Sequence, residues 1–149
     1  CGFDDARTYL QSGNLLVHTE ALADAIGVAI RSGLRAALAV DVPVVVVSRA
    51  AWLGAAAACP YPEAAASRPN LLHVGFTATP VLDTAAARLA PLAASDERVA
   101  AAADVLWIDY AAGVGRSRLT PAALDRAVGA PVTCRNMRTV AAIAAMLAE

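Results

Sequence analysis

The chain has 149 residues, 58% of them hydrophobic, 17% charged and 5% aromatic, with a net charge of -1. This length gives one ordinary domain or two small subdomains, able to bury a core without disulfide or metal staples. The high apolar fraction excludes disorder, and the near-zero charge speaks against a nucleic-acid binder.

About a quarter of the residues are alanine, a good helix former and a weak core filler, so the positive mean hydropathy is not a membrane signal. The longest strongly apolar stretch, Val42 to Val47, falls far short of the ~20 residues a spanning helix requires. All 12 basic residues are arginine, which excludes Schiff-base lysines and the Walker lysine. Cys1, Cys59 and Cys134 are widely spaced and form no C-x-x-C motif, which fits a reduced, cytoplasmic setting. His18 and His73 lack helical metal spacing, so neither a metal nor a cofactor is expected.

In chain order, Cys1 to Asp4 reads as the end of a helix capped by Gly2. Residues 6–10 and 15–18 read as strands joined by the turn Ser12-Gly13-Asn14, a β-hairpin. Thr19 is positioned to cap the next helix. In it Leu22, Ile26, Ile30, Leu34 and Leu38 recur every four residues and predict one apolar stripe. Val44 to Val47 is a β-branched run expected to be a buried strand. Ser48 can cap a helix over residues 49–58, stopped by Cys59-Pro60-Tyr61-Pro62. Residues 63–70 read as a loop, with a turn of helix available at Ala64 to Ala66. A strand over 71–76, a helix capped by Asp83 and ending near Leu92, and a strand pair over 97–101 and 105–110 follow, the first of the pair alanine-rich and also open to a helical reading. Thr120-Pro121 starts another helix that Gly129 closes. A strand over 132–135 and a last helix carrying Val140, Ile143, Ala144 and Leu147 complete the chain.

This order predicts an α+β protein: two ferredoxin-like (βαββαβ) subdomains in tandem, the first lacking its opening strand and helix, plus a C-terminal helix. The expected divisions are 1–50 for the first subdomain, 51–70 for a connecting helix and loop, and 71–149 for the second.

The sharpest chemical feature is the loop Gly113-Val114-Gly115-Arg116-Ser117-Arg118. Glycines permit close backbone approach, Arg116 and Arg118 offer forked donors, Ser117 a hydroxyl, and the helix beginning at Thr120 a positive end. These are the parts of an oxyanion site, although a tight turn with solvent-facing arginines needs nothing more. The loop is neither a Walker loop nor a dinucleotide fingerprint. Thr133-Cys134-Arg135-Asn136-Met137-Arg138-Thr139 is the second feature, with Arg135 and Asn136 as candidate ligand contacts and helix capping as the simpler reading. Ser12 and Asn14 are the third, where a plain turn also suffices. Arginines near Cys134 could activate it, but no histidine is near in sequence. His18 and His73 read as structural, Trp107 as core.

Three segments together resemble one family. Phe3-Asp4-Asp5-Ala6-Arg7-Thr8-Tyr9-Leu10-Gln11-Ser12-Gly13-Asn14, Gly115-Arg116-Ser117-Arg118-Leu119-Thr120 and Thr133-Cys134-Arg135-Asn136-Met137-Arg138-Thr139-Val140 resemble, in order, the motifs of the DUF1697 proteins. The resemblance implies a bacterial α+β protein of two ferredoxin-like halves and brings no catalytic residues with it. It also implies an opening strand, glycine-rich turn and helix that these residues do not contain, which would leave Val44 to Val47 without a ladder neighbour and the chain less stable. Arg118 stands where the family carries lysine, and Met137 where tryptophan is usual.

The functional expectation is a cytosolic domain that binds a small anionic ligand, phosphate- or nucleotide-like. The rival is an interaction or dimerisation module without small-molecule chemistry, using exposed sheet edges, with a homo-oligomer as one expected partner. An enzyme of unknown reaction is the third reading.

Overall fold

The computed structural model describes Phe3, residues 5–9 and residues 13–148. Cys1, Gly2, Asp4, Ser12 and the helix end read at the start of the chain lie outside the described residues. The chain divides into two compact units, one reaching to Val46 and one starting at Val47.

In the first unit, β1 (Arg7–Tyr9) and β2 (Asn14–Leu16) form an antiparallel hairpin, with Arg7 opposite Leu16 and Tyr9 opposite Asn14. Gly13 turns the chain at φ +77°, and the Asn14 amide donates across the turn to the Tyr9 carbonyl at 2.9 Å. Helix α1 (Ala23–Leu38) begins without a side-chain cap. Thr19, expected in that role, instead accepts from the Ala21 N–H two residues on, too early to reach the helix. Ala39 closes α1 in the left-handed region at φ +54°, and Arg31 pairs with Asp41 at 2.5 Å. The predicted stripe is only partly used: Ile26 is buried, while Leu22 and Leu38 are 80% and 65% exposed. Val44 to Val47 corrects the sequence reading as well. It is half-buried and pairs with no strand among the described residues. β-branched side chains favour extended backbone, but only a neighbour supplies the ladder.

In the second unit, Ser48 caps α2 (Arg49–Ala57) by accepting from the Ala51 N–H at 3.1 Å. The stretch read as loop holds a short helix, α3 (Pro62–Ser67), with proline pre-setting its first turn. There follow β3 (Leu72–Phe76), α4 (Asp83–Leu89) with a 3-10 turn at Ala90–Leu92, β4 (Arg98–Ala102), β5 (Val105–Asp109), α5 (Pro121–Val128), β6 (Thr133–Asn136) and α6 (Met137–Ala148). Leu82, not Asp83, is the N-cap of α4. Thr120 accepts from the Ala123 N–H to start α5, and Gly129 ends it at φ +82°.

The four strands of this unit run in the order β4-β5-β3-β6, every neighbour antiparallel. Antiparallel partners share a face. Leu106, Ile108 and Cys134 therefore face α4 and α5, where Leu89, Leu119 and Leu124 complete a buried cluster. Leu72, Val74, Phe76, Trp107 and Asp109 face the other way. Trp52 of α2 stacks on Phe76 at 4.3 Å, and its indole N–H donates to the Val140 carbonyl of α6 at 3.1 Å. Both sheet faces of this unit are thus covered by helices. Trp107 is core, as read from the sequence, and fully buried. Gly75 is required by packing: a Cβ there would lie 2.7 Å from Val132 Cγ1 and 3.3 Å from Leu106 Cβ. Among the described residues no helix is long and apolar enough to cross a membrane.

Candidate functional site

The loop between β5 and α5 is tied at both ends and open in the middle. At its start Ala111 (φ +43°) and Gly113 (φ +123°) turn the chain, and the Gly113 N–H donates to the Tyr110 carbonyl at 3.0 Å. At its end Leu119 is buried, and its carbonyl accepts from the Tyr110 hydroxyl at 3.2 Å. Between these anchors Val114–Arg116 forms a 3-10 turn. Ser117 spends its hydroxyl oxygen as acceptor for the Leu119 N–H at 3.0 Å, leaving its O–H as donor. Gly115, Arg116 and Arg118 are exposed, and among the described residues neither arginine is engaged by a hydrogen bond or ion pair.

Strand register decides which other predicted residues come near. Leu72 stands opposite Asp109, Asp109 opposite Arg98, and His73 opposite Asn136. The starts of β3 and β4 and the ends of β5 and β6 therefore share one end of the sheet. The β5–α5 loop and the β6–α6 junction both leave from it, two strand spacings apart, roughly 10 Å. His73 links them. It is the ladder partner of Asn136, and its ring meets the Tyr110 ring edge-on at 5.0 Å. Its Nε2 lies 3.1 Å from the Asn70 carbonyl. Burial pulls the His73 pKa down, so the ring is neutral near pH 7. The sequence marked His73 only as a structural residue of a strand.

Asn136 caps α6, its Oδ1 accepting from the Thr139 N–H at 2.9 Å; its amide donors remain. Arg135 shares the Val74 face, opposite to that of Leu119, because it pairs with Val74. Its Nη1 donates to Thr133 Oγ1 and to the Cys134 carbonyl, each at 2.9 Å, and burial lowers its pKa. Asn14 holds its own hairpin in the other unit. Cys134 carries a thiol pushed up to about 11 by burial, and burial raises Cys59 too; neither is a thiolate near neutrality. Among the described residues no group of histidine, cysteine and acidic side chains could hold a metal.

A second cluster at the same sheet end escaped the sequence. Asp109 is fully buried at the tip of β5. Arg68 holds it with Nε on Oδ1 at 3.0 Å and Nη2 on Oδ2 at 2.6 Å. Arg98 places Nε and Nη2 on Oδ2 at 3.1 and 2.6 Å, and the Ala111 N–H donates to Oδ1 at 3.1 Å. Burial alone would raise the Asp109 pKa, but the hydrogen bonds from Arg68 and Arg98 outweigh it and hold the carboxyl at about 2. Arg98 also reaches Glu63 and lies 4.2 Å over the Tyr61 ring. The cluster fastens α3, β4 and the first residues of the candidate loop to one carboxylate.

Comparison with known proteins gives one result: a family model described as a protein of unknown function, DUF1697, matches residues 1–107. The loop at 113–118 and the β6–α6 junction lie past the matched stretch. No curated protein and no solved structure matches the chain.

Proposed function

The chain belongs to the DUF1697 family, proteins of unknown function, and on that premise we propose that it binds a small anionic ligand, phosphate- or nucleotide-like, at the sheet end between the Gly113–Arg118 loop and Asn136. The observation that carries this reading is His73, which pairs with Asn136 on one side and packs against Tyr110 on the other. Arg116 and Arg118 supply charge, the Ser117 hydroxyl and the Gly115 N–H supply neutral donors, Gly113 shapes the turn, and Asn136 adds its amide. Arg135 contributes positive field from the opposite face of the sheet. Ser12 lies outside the described residues and Asn14 belongs to the other unit, so neither is drawn on for this proposal. A ligand at 100 times its Kd adds about 2.7 kcal/mol of stability, a shift of a few degrees in Tm for a protein of this size. A thermal-shift series with inorganic phosphate, pyrophosphate and nucleoside phosphates therefore tests the proposal. Stabilisation that disappears in Arg116→Ala with Arg118→Ala supports it; no stabilisation by any of these anions contradicts it.

A second reading, self-association, draws on the first unit, where Leu22, just before α1, and Val28 and Leu38 on α1 are each at least 65% exposed. Apolar side chains gathered on one helix favour a covered surface. Sedimentation of the wild type against Leu22→Ser with Val28→Ser tests it: a dimer that dissociates in the variant supports self-association, and a monomeric wild type removes it. The tandem ferredoxin-like arrangement is likewise our inference, favoured in the second unit by the element order βαββαβ and the strand order β4-β5-β3-β6. A soluble, cytosolic setting belongs to the same proposal and would be read from localisation of a tagged chain.

A further inference from the structure

We propose a second anion site, independent of the Gly113–Arg118 loop, in which Arg68 and Arg98 bind a carboxylate and in which Glu63 already engages Arg98 from within the chain. Two guanidinium groups share one buried carboxylate here. Both Nη2 atoms lie 2.6 Å from the same Asp109 oxygen, so they stand within about 5 Å of each other. One negative charge beneath two positive ones leaves an excess of one. Asp109 takes the Nε and Nη2 edge of each arginine. The Nη1 group of each has no partner among the described residues, and the two side chains keep 32% and 40% of their surface in solvent.

The pair is held before any ligand arrives. Asp109 fixes both inner edges, and the Tyr61 ring at 4.2 Å sets the plane of Arg98. Arginines so placed lose little freedom when an anion docks, which favours binding over a pair of mobile surface cations. Glu63, on the short helix α3, meets the same Arg98 Nη2 group that Asp109 holds, with its own carboxylate, and is 57% exposed. It brings the single negative charge that balances the cluster. Exposed ion pairs of this kind contribute little stability and exchange readily. A monocarboxylate ligand replaces Glu63 at constant charge, whereas a phosphate dianion would overcharge the site. That balance selects the ligand class.

The test is an NMR titration of the full chain with acetate, following the arginine Nε–H signals of Arg68 and Arg98, in the wild type and in Glu63→Gln. Removing the internal competitor raises the fraction of open sites, so acetate affinity is expected to rise on the order of fivefold in Glu63→Gln. Equal affinity in the two proteins, no response of either Nε–H signal in Glu63→Gln, or tighter binding of inorganic phosphate than of acetate at those signals would each overturn the proposal. Repeating the titration in Arg116→Ala with Arg118→Ala separates the two sites. An unchanged acetate response supports independence, and its loss refutes it, whatever becomes of the loop site.

Discussion

Two pairs of arginines at one end of one sheet have opposite relations to the fold. Arg68 and Arg98 are bound to the buried Asp109 and hold three elements together. Arg116 and Arg118 stand on an open loop whose shape is set by Tyr110, Ser117 and Leu119. The difference teaches that guanidinium groups equal in charge divide by what lies behind them. A buried carboxylate makes an arginine structural on its inner edge and pre-positioned on its outer edge. A backbone turn leaves an arginine chemically open and energetically silent.

The largest effect expected from this contrast is on folding. Asp109→Asn leaves two arginines without their carboxylate and should cost about 3–5 kcal/mol. Arg116→Ala with Arg118→Ala should stay within about 0.5 kcal/mol of wild type. Urea denaturation of both variants checks this, and similar losses would break the comparison. Acid comes next. The folded pKa of Asp109, about 2, lies below its ordinary 3.8, so its stabilisation is complete above the unfolded value and fades as pH falls through the folded one. Roughly 2 kcal/mol should be lost between about pH 4 and pH 2, and that loss should be absent from Asp109→Asn.

Thr120→Ala should cost about 1 kcal/mol by removing the cap that anchors the open loop to α5, readable as a lower urea midpoint with unchanged slope. The smallest effect concerns His73. Its folded pKa is lowered by burial, so the unfolded chain binds the proton more readily and stability declines as pH falls below the ordinary histidine value. A ring titration by NMR should give a midpoint below about 6.5; a midpoint above it would mean that the ring is not shielded.

The parts of the fold that were legible are those whose chemistry is local. Ser48, Thr120-Pro121 and Gly129 announce helix ends because cap and helix lie within four residues. The β-branched and aromatic run Val105 to Asp109 announces a strand. Val44 to Val47 carries the same signal but has no ladder among the described residues, since a partner strand is a non-local fact. The α1 stripe misled for a related reason: periodicity shows which face is apolar, not that something covers it. Asp109 was illegible because Arg98 and Arg68 lie 11 and 41 residues away in sequence. The signal available was a single acidic residue closing an otherwise apolar strand. The candidate loop was found by its glycines and arginines, while the place of Arg135 depended on strand parity, fixed only by its pairing with Val74.

The central claim is that the Gly113–Arg118 loop and Asn136 form one anion site. Amide NMR shifts during a titration with inorganic phosphate address it directly. Saturable shifts are expected at Gly113, Gly115, Ser117 and Asn136, moving together and lost in Arg116→Ala with Arg118→Ala. Shifts absent at these positions, or unchanged in that variant, would contradict it.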